Sequence, residues 1–114
     1  MADKRTLPAE PLGHIKRCVK ERRVFWTYHV NMRMKDRAIS REAVLESILD
    51  YEIIETYPED KYLPSYLVYT RHQNVAFHIL FAADVEGDNV RIITAYRPDA
   101  GEWRDDLRTR RSKQ

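Results

Sequence analysis

The sequence predicts an α+β domain: N-terminal helices packed on one face of a four-stranded antiparallel sheet, closed by a short C-terminal helix. Three observations predict it. Apolar residues recur at helical spacing up to about residue 50 and at strand-like spacing after it. Short turn signals separate the strand-like runs, and short turns force antiparallel neighbours. Helices segregated from strands in the chain imply a layered α+β architecture.

Residues 1–10 are polar and read as a flexible lead-in to a single domain over 11–110, with a basic tail at 111–114. Leu12, Ile15 and Val19 mark one face of a first helix over Leu12–Arg23. Val24-Phe25-Trp26 is apolar and reads as either a strand or a packed connector. Thr27 can cap a second helix running through Arg37, and Ser40 a third that ends near Asp50 with Val44, Leu45, Ile48 and Leu49 buried. The strands follow. Ile53 to Tyr57 stops at Pro58, Leu63 to Arg71 ends at Gln73-Asn74, and Val75 to Val85 turns through Glu86-Gly87-Asp88-Asn89 into Val90 to Arg97. Trp103 and Leu107, four apart, suggest the closing helix.

A chain of 114 residues suits one modest core. It has no apolar run of membrane-spanning length and no secretory signal pattern, so no membrane contact is expected. Cys18 is the single cysteine, which excludes an internal disulfide and a zinc site built from cysteines and fits a reducing, cytoplasmic location. The net charge of +2 is unevenly placed, with basic ends flanking an acidic middle. Folding could gather the ends into a face for a polyanion; because the excess is small, a solvated, mixed surface is the better explanation of the charge pattern by itself.

Centring the last hairpin on Gly87-Asp88 pairs Ile79 with Tyr96 and His78 with Arg97, and the preceding turn sets Tyr69 beside His78. Val68, Phe77, Ile79, Phe81, Val90, Ile92 and Tyr96 then share the face under the helices. Tyr69, His78, Leu80, Ala82, Ile93 and Arg97 share the open one. On that open face His78 can serve as general acid or base, Arg97 can hold a phosphate and the charge developing on it, and Tyr69 or Tyr96 can position a nucleotide. Such a set supports RNA cleavage by its own 2′-hydroxyl, with no metal or other cofactor. The same residues are also ordinary on an exposed sheet face. His29, Arg33 and Arg37 stand four apart on the second helix, either a ridge for a nucleic-acid backbone or a set of local helix contacts. His14 and His72 read as surface residues, Trp26 and Trp103 as core anchors, and Cys18 as inert packing. The four histidines lack compact ligand spacing, so no metal site is expected.

His29-x-x-x-Arg33-Met34-x-x-Arg37-x-Ile39-Ser40, Val44 and Ile48 are followed by Ile53-Ile54-Glu55-x-Tyr57-Pro58, His78 and Ile92-Ile93-Thr94-Ala95-Tyr96-Arg97-Pro98. This pattern resembles a small bacterial and archaeal domain family similar to the RelE/ParE-like toxin superfamily, particularly its BrnT branch. The resemblance spans roughly residues 27 to 104. It implies helices on a four-stranded antiparallel sheet, endoribonuclease action on messenger RNA, and a cognate antitoxin, commonly of zinc-ribbon and helix-turn-helix type. The last strand is similar to the BrnT strand ending in Ser-Ala-Arg, with Tyr96 standing here between Ala95 and Arg97. Relatives in the wider superfamily that bind gyrase keep a protein-binding module open as the alternative, as does a self-associating domain.

Overall fold

The computed structural model describes residues 6–111. Residues 1–5 of the expected lead-in and 112–114 of the expected tail lie outside the described residues. Three helices pack on a mixed five-stranded sheet. The elements are α1 (Pro11–Lys20), β1 (Val24–Trp26), α2 (Tyr28–Asp36), α3 (Arg41–Glu46), a 3-10 turn (Ile48–Asp50), β2 (Glu52–Tyr57), β3 (Ser65–His72), β4 (Val75–Asp84) and β5 (Asn89–Tyr96). No helix among the described residues is long and apolar enough to cross a membrane.

The helices start where the sequence says they should. Pro11 occupies the first turn of α1, where its missing amide costs nothing. The Thr27 hydroxyl accepts from the Val30 amide at 3.0 Å and Ser40 does the same for Ala43 at 3.0 Å, so both caps form. α3 is shorter than expected. It tightens into the 3-10 turn after Ser47, which leaves Leu49 87% exposed instead of buried.

The sheet order is β1-β5-β4-β3-β2. The fifth strand is Val24–Trp26, which pairs in parallel with β5 through Val24↔Val90 and Trp26↔Ile92. The expected four-stranded antiparallel sheet is therefore corrected to five strands with one parallel pair. Parallel pairing across a long crossover leaves no hairpin signature in the sequence.

The helices cover one face, as expected. Ile15, Val19, Val30, Met34 and Val44 meet Val68, Phe77, Ile79, Phe81, Val90 and Ile92 there. Residues 98–111 dress the opposite face, but not as a helix. Trp103 and Arg110 make an isolated antiparallel bridge, and turns join them. Local side chains explain the missing helix. Asp99 accepts from the Gly101 amide, and Asp106 accepts from the Arg108 and Thr109 amides and the Thr109 hydroxyl. These bonds offer the backbone an alternative to the helical ladder, and Leu107 adopts a left-handed φ of 59°.

Candidate functional site

Two registers decide which side chains meet. The β3–β4 pair keeps the expected register, with Tyr69 opposite His78. Its turn is Gln73-Asn74, both left-handed at φ 51° and 67°, as a two-residue type I′ hairpin requires. The β4–β5 pair does not keep its expected register. The turn closes on Asp84↔Asn89, and a bulge follows between Phe81↔Ile92 and Leu80↔Thr94. Ile93 is the extra residue. Beyond it every side chain of β5 changes face relative to β4, so His78 pairs with Tyr96, not Arg97.

The expected His78–Arg97 pair is thus dissolved. Arg97 turns to the helix side, where it donates to the Ala38 carbonyl at 3.4 Å and lines a cavity of about 250 Å³ with Ile39, His72 and Phe77. Tyr96 crosses the other way, off the helix-covered face and onto the His78 face. That face is not open as expected. His78 is fully buried, edge-on to Trp103 at 4.5 Å, with Tyr96 at 5.3 Å and Tyr69 at 6.1 Å between centroids.

The hydrogen bonds of His78 fix its tautomer. Its Nε2 lies 2.7 Å from the Leu107 carbonyl, which can only accept, so Nε2 carries the proton. Its Nδ1 is then the acceptor for the Tyr96 hydroxyl, 3.3 Å away. Burial pushes the His78 pKa down despite the Leu107 bond and the Glu55 charge, which pull it up. Burial also pushes the Tyr96 phenol up. A neutral imidazole therefore sits behind Tyr96 and orients its hydroxyl.

Tyr96 lines a cavity of about 350 Å³ with Thr94, Leu80, Tyr57 and Arg110. Arg110 comes from the C-terminal segment. Its guanidinium donates to both Glu55 oxygens, at 2.7 Å and 3.2 Å, and stacks 4.5 Å from the Trp103 ring centre. Tyr57 donates to the same carboxylate. Burial pushes Glu55 up, but the bonds from Arg110 and Tyr57 outweigh it and hold the carboxyl below its usual range. Alongside, Arg108 pairs with Glu52 and lies 4.0 Å over the Tyr69 ring. Tyr69 is buried beneath it.

On the other side of Thr94, His29 and Arg33 line a cavity of about 340 Å³ with Val30 and Ile93. Both side chains lie on exposed positions of α2. Arg37, the third member of the expected cationic stripe, turns inward. It donates to the Ala95 carbonyl at 2.7 Å and to the Thr94 hydroxyl at 3.3 Å, holding α2 against the bulge. Thr94 thus borders both cavities, with His29 and Arg33 at one end and Tyr96, Tyr57 and Arg110 at the other.

Sequence reasoning brought Tyr69 to His78 and placed His29 with Arg33. It missed Tyr57, Thr94 and Arg110, which meet through long-range packing that no spacing rule encodes. Among the described residues, the His, Cys, Asp and Glu side chains grouped closely enough to hold a metal ion are those of His14, Cys18 and Asp88, between α1 and the β4–β5 turn. No residue of that group lines either cavity.

Residues 26–97 match the model of a family described as a domain of unknown function, DUF4258. The matched segment runs from Trp26, the last residue of β1, through β5 and ends before Trp103 and Arg110. Comparison with curated proteins and with solved structures gives no match.

Proposed function

From the premise that the chain belongs to the DUF4258 family, we propose that it is a toxin-like domain acting on messenger RNA. In this reading it is a metal-independent endoribonuclease of a type II toxin–antitoxin system, working in the cytoplasm. The observation that carries the proposal is Thr94, the shared wall of two concavities with cations at both ends, which in this reading serve together as one groove. A single RNA strand needs cations along its phosphates and aromatic faces for its bases. Arg33 supplies an exposed cation at one end, and Tyr57 and Tyr96 supply rings at the other.

The chemistry then moves away from His78 and Arg97. His29 reaches solvent and can take the 2′-hydroxyl proton as that oxygen attacks phosphorus. In this reading the Tyr96 hydroxyl turns from His78 Nδ1, on which it rests, to give its proton to the departing 5′-oxygen. The phosphorus–5′-oxygen bond breaks, leaving a cyclic phosphate and a 5′-hydroxyl. His78 positions Tyr96 from beneath, Tyr69 packs edge-on to His78, and Arg97 stays outside the groove.

A second reading has its own support. Phe25 is 56% exposed, Tyr28 77%, Met32 43% and Ile93 47%, an apolar strip along β1, α2 and the bulge. A non-catalytic module would dock a partner protein there, and a toxin would use the same strip for its antitoxin.

The test is RNA cleavage in chelator, comparing wild type with His29→Ala, Arg33→Ala, Tyr96→Phe and Arg97→Ala. The proposal expects the first three to lose activity and Arg97→Ala to keep it. Equal cleavage by all five proteins removes the assigned roles. RNA neither bound nor cut by wild type selects the protein-docking module.

A further inference from the structure

We propose a second site, independent of the groove: a zinc-type cation site formed by His14 Nε2, Cys18 Sγ and the Asp88 carboxylate. The ligand atoms of these three residues all lie within 4.8 Å of one another. His14 and Cys18 stand four apart on α1, so one helix face presents both, and the β4–β5 turn brings Asp88 from 70 residues further along the chain.

The His14 Nε2 to Cys18 Sγ distance is 3.7 Å. Tetrahedral zinc, with its usual bonds to sulfur and nitrogen, sets two such ligands about 3.6 Å apart. The helical pair is therefore already at ligand spacing. Asp88 needs a side-chain rotation to close on it, and its side chain is 42% exposed, with room to make one.

The present partners of these groups are poor or exchangeable. One nitrogen, Nε2, faces both the Cys18 sulfur and the Asn89 carbonyl, the latter at 3.3 Å, and can satisfy one at a time. Beside Asp88, the Asn89 side-chain oxygen is buried with no hydrogen-bond partner among the described residues. Asp88 holds Arg17 through both carboxylate oxygens, with Arg23 3.8 Å from one of them, and the Arg17 side chain is 44% exposed. Turning one oxygen to a cation gives up half of that pair and leaves Arg17 on the other, from where it orients the ligand.

The donor set of one nitrogen, one sulfur and one oxygen suits zinc. Burial pushes the Cys18 thiol up, so the cation must displace its proton, and binding releases one proton to solvent. Thiolate and carboxylate together neutralise the divalent charge, and a water completes four-coordination. Cys18 then does more than fill space beneath α1.

The probe is cobalt(II) alone, titrated into the reduced full-length chain. The expected result is a one-to-one complex with thiolate-to-cobalt charge transfer in the near ultraviolet and the visible bands of tetrahedral cobalt. Zinc should displace it. Cys18→Ser should abolish the charge transfer, and His14→Gln and Asp88→Asn should each weaken binding about tenfold or more. Cys18 is buried, so His14→Gln, with its fold checked by circular dichroism, is the deciding variant. Absence of charge transfer with cobalt in excess overturns the proposal, as does unchanged affinity in His14→Gln.

Discussion

Trp103 stands edge-on to His78, with ring centroids 4.5 Å apart and planes 85° apart. One contact thereby joins the C-terminal segment to the middle of the sheet. Both residues are fully buried or nearly so, and both lie on the face opposite the helices. The sheet is covered twice: by α1 to α3 on one side and by a turn-rich strap on the other. Arg108 on Glu52 and Arg110 on Glu55 pin the strap's edge, while Trp103 supplies its apolar area. Exposed ion pairs of this kind contribute little each, so the indole carries most of the attachment.

Trp103→Ala should therefore be among the costliest single changes in the molecule. Removing a buried indole destabilises by about 3–5 kcal/mol, counting lost transfer energy and the cavity left behind. Urea unfolding followed by circular dichroism measures it. A loss below about 1 kcal/mol would mean that the strap does not hold the sheet.

The neutral state of His78 gives stability a defined pH dependence. Burial sets its folded pKa below the ordinary value, so the unfolded chain takes up the proton first as pH falls. The stabilisation is complete above about 6.5, the usual unfolded value, and is lost as pH drops from there toward the folded pKa. The stability of wild type minus that of His78→Phe should shrink between neutral and mildly acid pH. A difference that stays flat across that window would show that His78 takes up its proton as readily folded as unfolded.

How much of this was legible follows from where the information sits. The Tyr69–His78 pairing was readable because Gln73-Asn74 is a two-residue turn that fixes register by itself. The caps at Thr27 and Ser40 were readable because each depends on one hydroxyl and an amide three residues on. The bulge at Ile93 was not. An isoleucine extends a strand as well as it fills a bulge, and the Arg37 bonds that meet the strand beyond it come from the C-terminal end of α2, far off in the sequence. The Trp103–Leu107 spacing read as helical because it ignored Asp99 and Asp106, whose side chains compete for the same amides.

Arg33 and Arg97 separate the groove from its surroundings. If RNA phosphates lie along His29 and Arg33, Arg33→Ala should weaken RNA binding similarly across sequences. It should also reduce the slope of log affinity against log salt by about 1. Arg97→Ala, on the helix side of β5, should leave that slope unchanged. Filter binding at several salt concentrations distinguishes them. Equal slopes in wild type and Arg33→Ala would take the phosphate contact away from this residue.

Arg37 makes the opposite case, a cation whose charge serves the fold. The Ala95 carbonyl it meets lies just past the extra residue of the bulge, where the strand has lost a ladder position. A guanidinium in that place satisfies a buried acceptor and ties the C-terminal end of α2 to β5. Arg37→Ala leaves the carbonyl without its charged donor, and bonds to charged groups contribute about 1.5–3 kcal/mol. Arg37→Lys keeps the charge but loses the fork that reaches Ala95 and Thr94 together, so it should restore only part of the loss. Thermal unfolding of the three proteins checks the order wild type, lysine, alanine. Because Thr94 walls both cavities, the alanine variant should also weaken RNA binding while leaving the salt slope near the wild-type value, as expected of a residue that shapes the groove without touching phosphate. A fall in slope matching that of Arg33→Ala would instead put Arg37 on the phosphates.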